Sequence, residues 1–191
     1  MEACRAGQRE GFDRLFRAYS QVIERVIGRL IGPTPDLEDL LQTTFVEAIR
    51  SFGRYRGEAS LKTWMTRIAV HVTMNQLRRG LRRHVPLELL PATDEPVDRG
   101  PQPDRVADDR QLAHRLHKLL DRISPKKRVA FLLYAVEGHT IEEVAALTAA
   151  GRAATKSRIW FARRELLAMA KRDPILLELA RLEAPEEAPC P

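Results

Sequence analysis

The chain has 191 residues, 44% hydrophobic and 30% charged, with a formal net charge of +6, the composition of an ordinary globular chain of one or two domains. Its longest uninterrupted apolar run, Val129 to Val136, is far short of the ~18 residues that suggest a membrane span, and no membrane insertion is expected. The N-terminus (MEACRAGQREGFD) lacks the apolar core of a signal peptide, and Cys4 and Cys190 stand at opposite ends, so a secreted disulfide framework and a zinc site are both disfavoured and the expected compartment is the cytoplasm.

The charge is segregated: residues 1–85 carry +6, 86–109 carry −5, 110–173 carry +8 and 174–191 carry −3. The acidic spacer holds five of the twelve prolines; such a segment cannot bury a core and reads as a flexible linker. The expectation is an all-α chain of two small basic domains, 1–85 and 110–173, on a tether, with a tail at 174–191. A basic patch is the electrostatic footprint of nucleic-acid binding, although it also occurs on proteins that bind none.

In chain order, Phe12, Leu15, Phe16, Tyr19, Val22, Ile23, Val26, Ile27, Leu30 and Ile31 form one helical stripe, ended by Gly32-Pro33. Thr34-Pro35 supplies a capping hydroxyl and a proline for the first helical position of a second helix. Asp36, Glu38 and Asp39 oppose its dipole, and its apolar face is Leu37, Leu40, Leu41, Phe45, Ile49 and Phe52. The stretch RYRGEASLKTW at 54–64 then places Arg54, Arg56, a tyrosine expected at the surface (Tyr55) and Gly57 before a long basic helix. That helix is expected from about Ser60 to Arg83, burying Leu61, Trp64, Met65, Ile68, Val72 and Leu77.

Beyond the spacer, a helix from about Asp104 to Arg122 carries Leu112, Leu116, Leu119 and Leu120 on one side. Ser124-Pro125 caps the next, which runs through Val129, Phe131, Leu132 and Val136 and stops at Gly138. Thr140 and Glu143 have capping-box spacing. A short helix to about Leu147, a small-residue turn at 148–151 and a helix from Arg152 to Lys171 complete a helix-turn-helix pattern. On a wheel the last helix turns Thr155, Ile159, Ala162, Leu166 and Met169 inward. Ala153, Ser157, Trp160, Phe161 and Arg164 face outward, flanked by Lys156 and Arg158. Cations at the margins suit phosphates, with smaller groups between them for base edges; an amphipathic surface helix with scattered arginines reads the same way.

The segment DLEDLLQTTFVEAIRSFGRYRGEASLKTWMTRIA resembles region 2 of bacterial RNA polymerase sigma factors of the extracytoplasmic-function (ECF) group. GHTIEEVAALTAAGRAATKSRIWFARREL resembles region 4 of the same group. The resemblance covers roughly residues 12–83 and 110–171, with a variable linker between. It implies that Asp36, Glu38, Asp39, Gln42, Thr43 and Phe45 meet the clamp of core RNA polymerase. It further implies that the loop at 54–57 holds a base extruded from the minus-ten promoter element, with Arg54 and Arg56 on the backbone, Tyr55 or the adjoining surface as stacking face, and Gly57 allowing close approach. Lys62, Arg67, His71, Asn75, Arg78 and Arg79 would extend the minus-ten contact, with Arg82 and Arg83 along upstream phosphates. Arg152, Ala153, Lys156, Ser157, Arg158, Trp160, Phe161 and Arg164 would meet the minus-thirty-five element. A regulatory anti-sigma protein is a further implied partner.

Three departures bear on promoter choice. His71 replaces a common asparagine, Ala149 and Ala150 replace the turn glycine and the apolar residue after it, and Phe161 replaces an arginine. An aromatic at that last position can touch a thymine methyl but cannot pair with guanine.

No phosphate-binding glycine loop, nucleophile elbow or paired-carboxylate motif is present, and no enzymatic activity is expected. His114 and His117 share a helix face without a third ligand at motif spacing, so neither metal nor cofactor is expected. The competing reading is a stand-alone helix-turn-helix regulator acting without polymerase, which leaves residues 36–64 without a purpose.

Overall fold

The computed structural model describes residue 4 and residues 8–80 and 115–172. The spacer, His114, Arg82, Arg83 and the tail lie outside the described residues. Helix α1 spans Arg9–Ile31, α2 Leu37–Ser51 and α3 Leu61–Gly80, with a 3-10 turn at Phe52–Arg54 before the loop that leads to α3. Residues 115–120 are helical; α4 (Pro125–Ala135), α5 (Ile141–Leu147) and α6 (Arg152–Ala170) follow. No strand occurs among the described residues.

Helix α1 ends where its stripe ends. Gly32 takes φ +80° and its N–H donates to the Gly28 carbonyl at 2.8 Å. A Cβ there would lie 2.6 Å from His117 Nδ1, so backbone conformation and packing both demand glycine. Helix α2 starts later than the Thr34-Pro35 signal suggests. The Thr34 hydroxyl accepts from the Asp36 amide at 3.2 Å, Asp36 occupies the cap position, and the first helical residue is Leu37. Ser124 caps α4 by position, with Pro125 in the first turn, but its hydroxyl makes no capping bond. The Thr140–Glu143 box is complete: the Thr140 hydroxyl accepts from the Glu143 amide at 3.2 Å and Glu143 Oε2 accepts from the Thr140 amide at 2.9 Å. That backbone bond, more than any other influence, holds the Glu143 carboxyl below its ordinary pKa.

One apolar core lies within the first three helices, built on Ile23, Ile27, Phe45, Ala48, Phe52 and Met65. The expected faces need two corrections here. Ile49 faces solvent, and Thr44 and Ala48 are buried in its place, the Thr44 hydroxyl being satisfied by the Leu40 carbonyl at 2.7 Å. Val136 is likewise exposed, because α4 stops at Ala135.

A second core joins the two halves of the chain. Val26 and Leu30 of α1 and Val70 and Met74 of α3 pack with Leu120, Val129, Leu133, Val144 and Leu166. Helix α3 therefore lies against α1 and α2 on one side and α4 and α5 on the other. This is why it buries Thr66, Ala69, Val70, Thr73 and Met74 beyond the single face that periodicity suggests. The two domains, read from the sequence as two small basic domains on a tether, share this second core.

Candidate nucleic-acid interface

Helix α2 presents Glu38, Asp39, Gln42 and Thr43 to solvent as a polar, acidic strip, with Gln42 Nε2 donating to Glu38 Oε1 at 3.2 Å. Asp36 is half-buried and tied to α3, its carboxylate accepting from Gln76 Nε2 at 2.8 Å. Phe45 is not on this surface. Its ring is buried, with its centroid 4.8 Å from that of Phe16. Val46 and Ile49, both exposed, continue the strip with Glu47 and Arg50. Sequence reading missed them as surface residues; the available signal was surplus apolar character on a helix whose core face was already filled.

The loop after α2 stands on a buried aromatic cluster. Tyr55 is 8% exposed, so the expectation of a surface tyrosine is corrected. Its ring lies 6.0 Å from Phe52 and 5.1 Å from Trp64, and its hydroxyl donates to the Ala59 carbonyl at 2.7 Å. Both ends of the loop are thereby pinned: a phenol inside an apolar cluster finds its acceptor in the backbone it organises. On this base Arg54, Arg56, Gly57 and Glu58 are exposed. Gly57 takes φ +80° with nothing within 4 Å of where a Cβ would be, leaving open space on its side.

From the loop, Lys62, Arg67, His71, Arg78 and Arg79 are exposed along α3, with Asn75 half-buried. Asn75 Nδ2 and His71 Nε2 are 3.1 Å apart, and Arg78 Nη1 donates to Asn75 Oδ1 at 3.4 Å, a polar row one turn per step. At 1.5 Å per residue the row from Lys62 to Arg79 is about 25 Å long.

On α6, Arg152, Ala153, Lys156, Ser157, Trp160, Phe161 and Arg164 are exposed and Arg158 is half-buried. Thr155, Ala162 and Leu166 anchor the helix, while Ile159 and Met169 are partly buried. Trp160 and Phe161 meet edge-to-face at 4.8 Å. The Arg164 guanidinium lies 5.3 Å above the Trp160 ring and Lys127 Nζ 5.6 Å above Phe161. Ala149, in the turn before this helix, takes φ +48°. The surface is thus a basic helix with an aromatic ridge, preceded by a short capped helix and a tight turn.

The family model for Sigma-70 region 2 matches residues 15–83, and that for Sigma-70 region 4 matches residues 113–166. The RNA polymerase sigma factor CarQ of Myxococcus xanthus is 31% identical over 160 residues, covering 83% of this chain and 88% of CarQ.

The chain belongs to the ECF group of RNA polymerase sigma factors.

The ECF sigma factor SigE of Mycolicibacterium smegmatis is also 31% identical, over 81% of this chain, which spans 60% of that protein's length. Two solved structures share the fold. CnrH in complex with the cytosolic domain of CnrY has a TM-score of 0.61 at 20% identity, covering 90% of this chain and 95% of its own. RpoE in complex with the anti-sigma factor NepR, from Bartonella quintana, has a TM-score of 0.60 at 21% identity, covering 86% and 99%. The chain is therefore an alternative sigma factor, one that directs RNA polymerase to promoters. No helix among the described residues is long and apolar enough to cross a membrane.

Sequence reading did not single out Arg128. It is 2% exposed, its Nε donates to the Leu30 carbonyl at 2.9 Å and its Nη2 to the Ile31 carbonyl at 2.7 Å, and its Nη1 pairs with Asp121. Burial lowers its pKa and the Asp121 carboxylate opposes that shift. No sequence signal marks it, because two of its acceptors are backbone atoms 98 and 97 residues away.

Proposed function

We propose that this sigma factor is a cytoplasmic, non-enzymatic initiation subunit whose parts divide as region 2 (1–85), linker (86–109), region 4 (110–173) and tail (174–191). The strip Asp36, Glu38, Asp39, Gln42 and Thr43 docks on the clamp of core RNA polymerase, where an acidic surface on an otherwise basic domain suits a basic partner. The loop and α3 take the minus-ten element: Arg54 and Arg56 clamp the backbone and offer guanidinium planes to an extruded base, Gly57 admits it, and Lys62 to Arg79 follow the strand. Helix α6 enters the major groove of the minus-thirty-five element. Lys156 and Arg152 meet phosphates there, and the Trp160–Phe161 ridge offers apolar contact to thymine methyls. Sequestration by an anti-sigma protein is part of this reading, since the two structural relatives above were solved with CnrY and NepR.

The observation that carries the proposal is the pinned loop, with its arginines and open glycine held outward by the Tyr55 bond to Ala59. Run-off transcription tests it. Arg54→Ala with Arg56→Ala should retain polymerase binding and lose transcription from a closed promoter by tenfold or more, since stacking contacts are worth about 1–3 kcal/mol per base. A template already open over the minus-ten element should restore most of it. Equal activity of variant and parent on the closed template would reduce the loop to a turn.

A further inference from the structure

The centre of the outer face of α6 is apolar. Trp160 and Phe161 are 39% and 43% exposed, while the other exposed positions from Arg152 to Arg164 are basic or small. The two rings meet edge-to-face, and each has a cation against it, Lys127 on Phe161 and Arg164 on Trp160. Lys127 is engaged a second time, by the Glu165 carboxylate at 2.5 Å. That lysine is thereby committed within the protein, and between its outer cations the helix shows hydrocarbon. Rings held in this way lose little rotamer freedom when a duplex arrives.

In a major groove the chemistry open to such a ridge is narrow. Phe161 has no hydrogen-bonding group and can pair with no base edge. Trp160 has one donor, its indole N–H, but every base pair offers a purine N7 in this groove, so that donor separates none of them. The apolar group the groove does display is the methyl on C5 of thymine. The same carbon carries hydrogen in cytosine and uracil, and a methyl in 5-methylcytosine. We infer that the Trp160–Phe161 ridge recognises the C5 methyl itself, whichever pyrimidine bears it. In the minus-thirty-five element 5-methylcytosine then serves as thymine does, and cytosine methylation opens promoters to this sigma factor. The inference deepens the assignment of α6 to that element and rests on it. Burying one methyl is worth about a fourfold change in affinity, small against a whole promoter complex but enough to rank one promoter above another. The marginal cations Arg152 and Lys156 are indifferent to the methyl, because phosphates are the same in every sequence.

Competitive binding by the full chain assembled with core polymerase tests it. Duplexes randomised over the minus-thirty-five block are selected first. Each thymine in the selected block is then replaced in turn by uracil, cytosine or 5-methylcytosine, with the matching partner base. The thymine–uracil and 5-methylcytosine–cytosine comparisons each change one methyl and leave base pairing untouched. At one selected position or more, the parent should prefer the methylated member of both pairs by about fourfold. Trp160→Ala with Phe161→Ala should bring both ratios to one, and Phe161→Arg should move the selection at that position to guanine. Each ratio is taken within one preparation, so partial misfolding of a variant does not alter it. The inference is overturned if the selected block contains no A·T pair, if either ratio is one for the parent at every selected thymine, or if the double variant keeps both ratios. A block in which nothing is selected fails the placement of α6 as well, whereas a block selected without methyl dependence fails the inference alone.

Discussion

Ala149 occupies left-handed backbone, φ +48°, in the turn between α5 and α6, where a Cβ costs roughly 1–2 kcal/mol. Glycine would remove that strain and add about 0.4–1 kcal/mol of unfolded-chain entropy. Ala149→Gly should therefore stabilise the protein by about 0.5–1 kcal/mol, read as a raised midpoint in urea; a lowered midpoint would mean that the methyl packs usefully. Nearby, Thr140→Ala should cost about 1 kcal/mol by removing the cap of α5. The other half of the box, the Glu143 carboxylate accepting from the Thr140 amide, should depend on pH. Glu143 has a lowered pKa in the fold, so its contribution is present above its unfolded value and disappears as pH falls through the lower folded value. Denaturation followed from neutral pH to below the carboxylate range should show the gap between Glu143→Ala and parent narrowing on acidification.

Helix α2 does two jobs on two faces. Its inner face is fixed by Leu40, Leu41, Thr44, Phe45 and Ala48, and its outer strip makes few ties within the chain. Asp39→Arg with Gln42→Ala should abolish co-purification with core polymerase. Thermal melting should barely change, since such surface substitutions usually cost under about 0.5 kcal/mol. Retained binding would leave the strip with helix-dipole compensation as its sole role. Helix α3 is buried on opposite sides while keeping one polar row, which is why its apolar residues follow no single stripe. Thr73 is the local cost: its hydroxyl is buried without a hydrogen-bond partner.

For the molecule as a whole, a core drawn from both regions couples their stabilities. Calorimetry of the full chain should show one cooperative transition. Met74→Glu, placing a carboxylate in that shared core, should split or broaden it; two transitions in the parent would mean the regions unfold independently. The isolated protein should also bind promoter duplex weakly, because neither reader spans a full site, and binding should become specific when core polymerase is added. Tight binding of the free chain to a palindrome would instead favour a stand-alone regulator.

What the sequence determined by itself was local and periodic. The apolar steps of α1, the Thr140–Glu143 box, the Gly32 and Gly57 turns and the basic outer face of α6 follow from contacts within a few residues, where composition and spacing carry the physics. The family resemblance came from the same kind of signal, two long motifs in order. Tertiary structure alone decided which apolar residues were surplus to a domain's own core. Val70 and Met74 look like off-stripe residues until the second domain covers them, and Ile49 looks like core until α2 is rotated by its neighbours. Tyr55 was misjudged because its acceptor, the Ala59 carbonyl, and its ring partners form a pocket only once the loop closes. Arg128 was missed because a charged side chain is read as surface, and what buries it here is a pair of carbonyls at the end of a helix nearly a hundred residues away, beside Asp121 of its own domain.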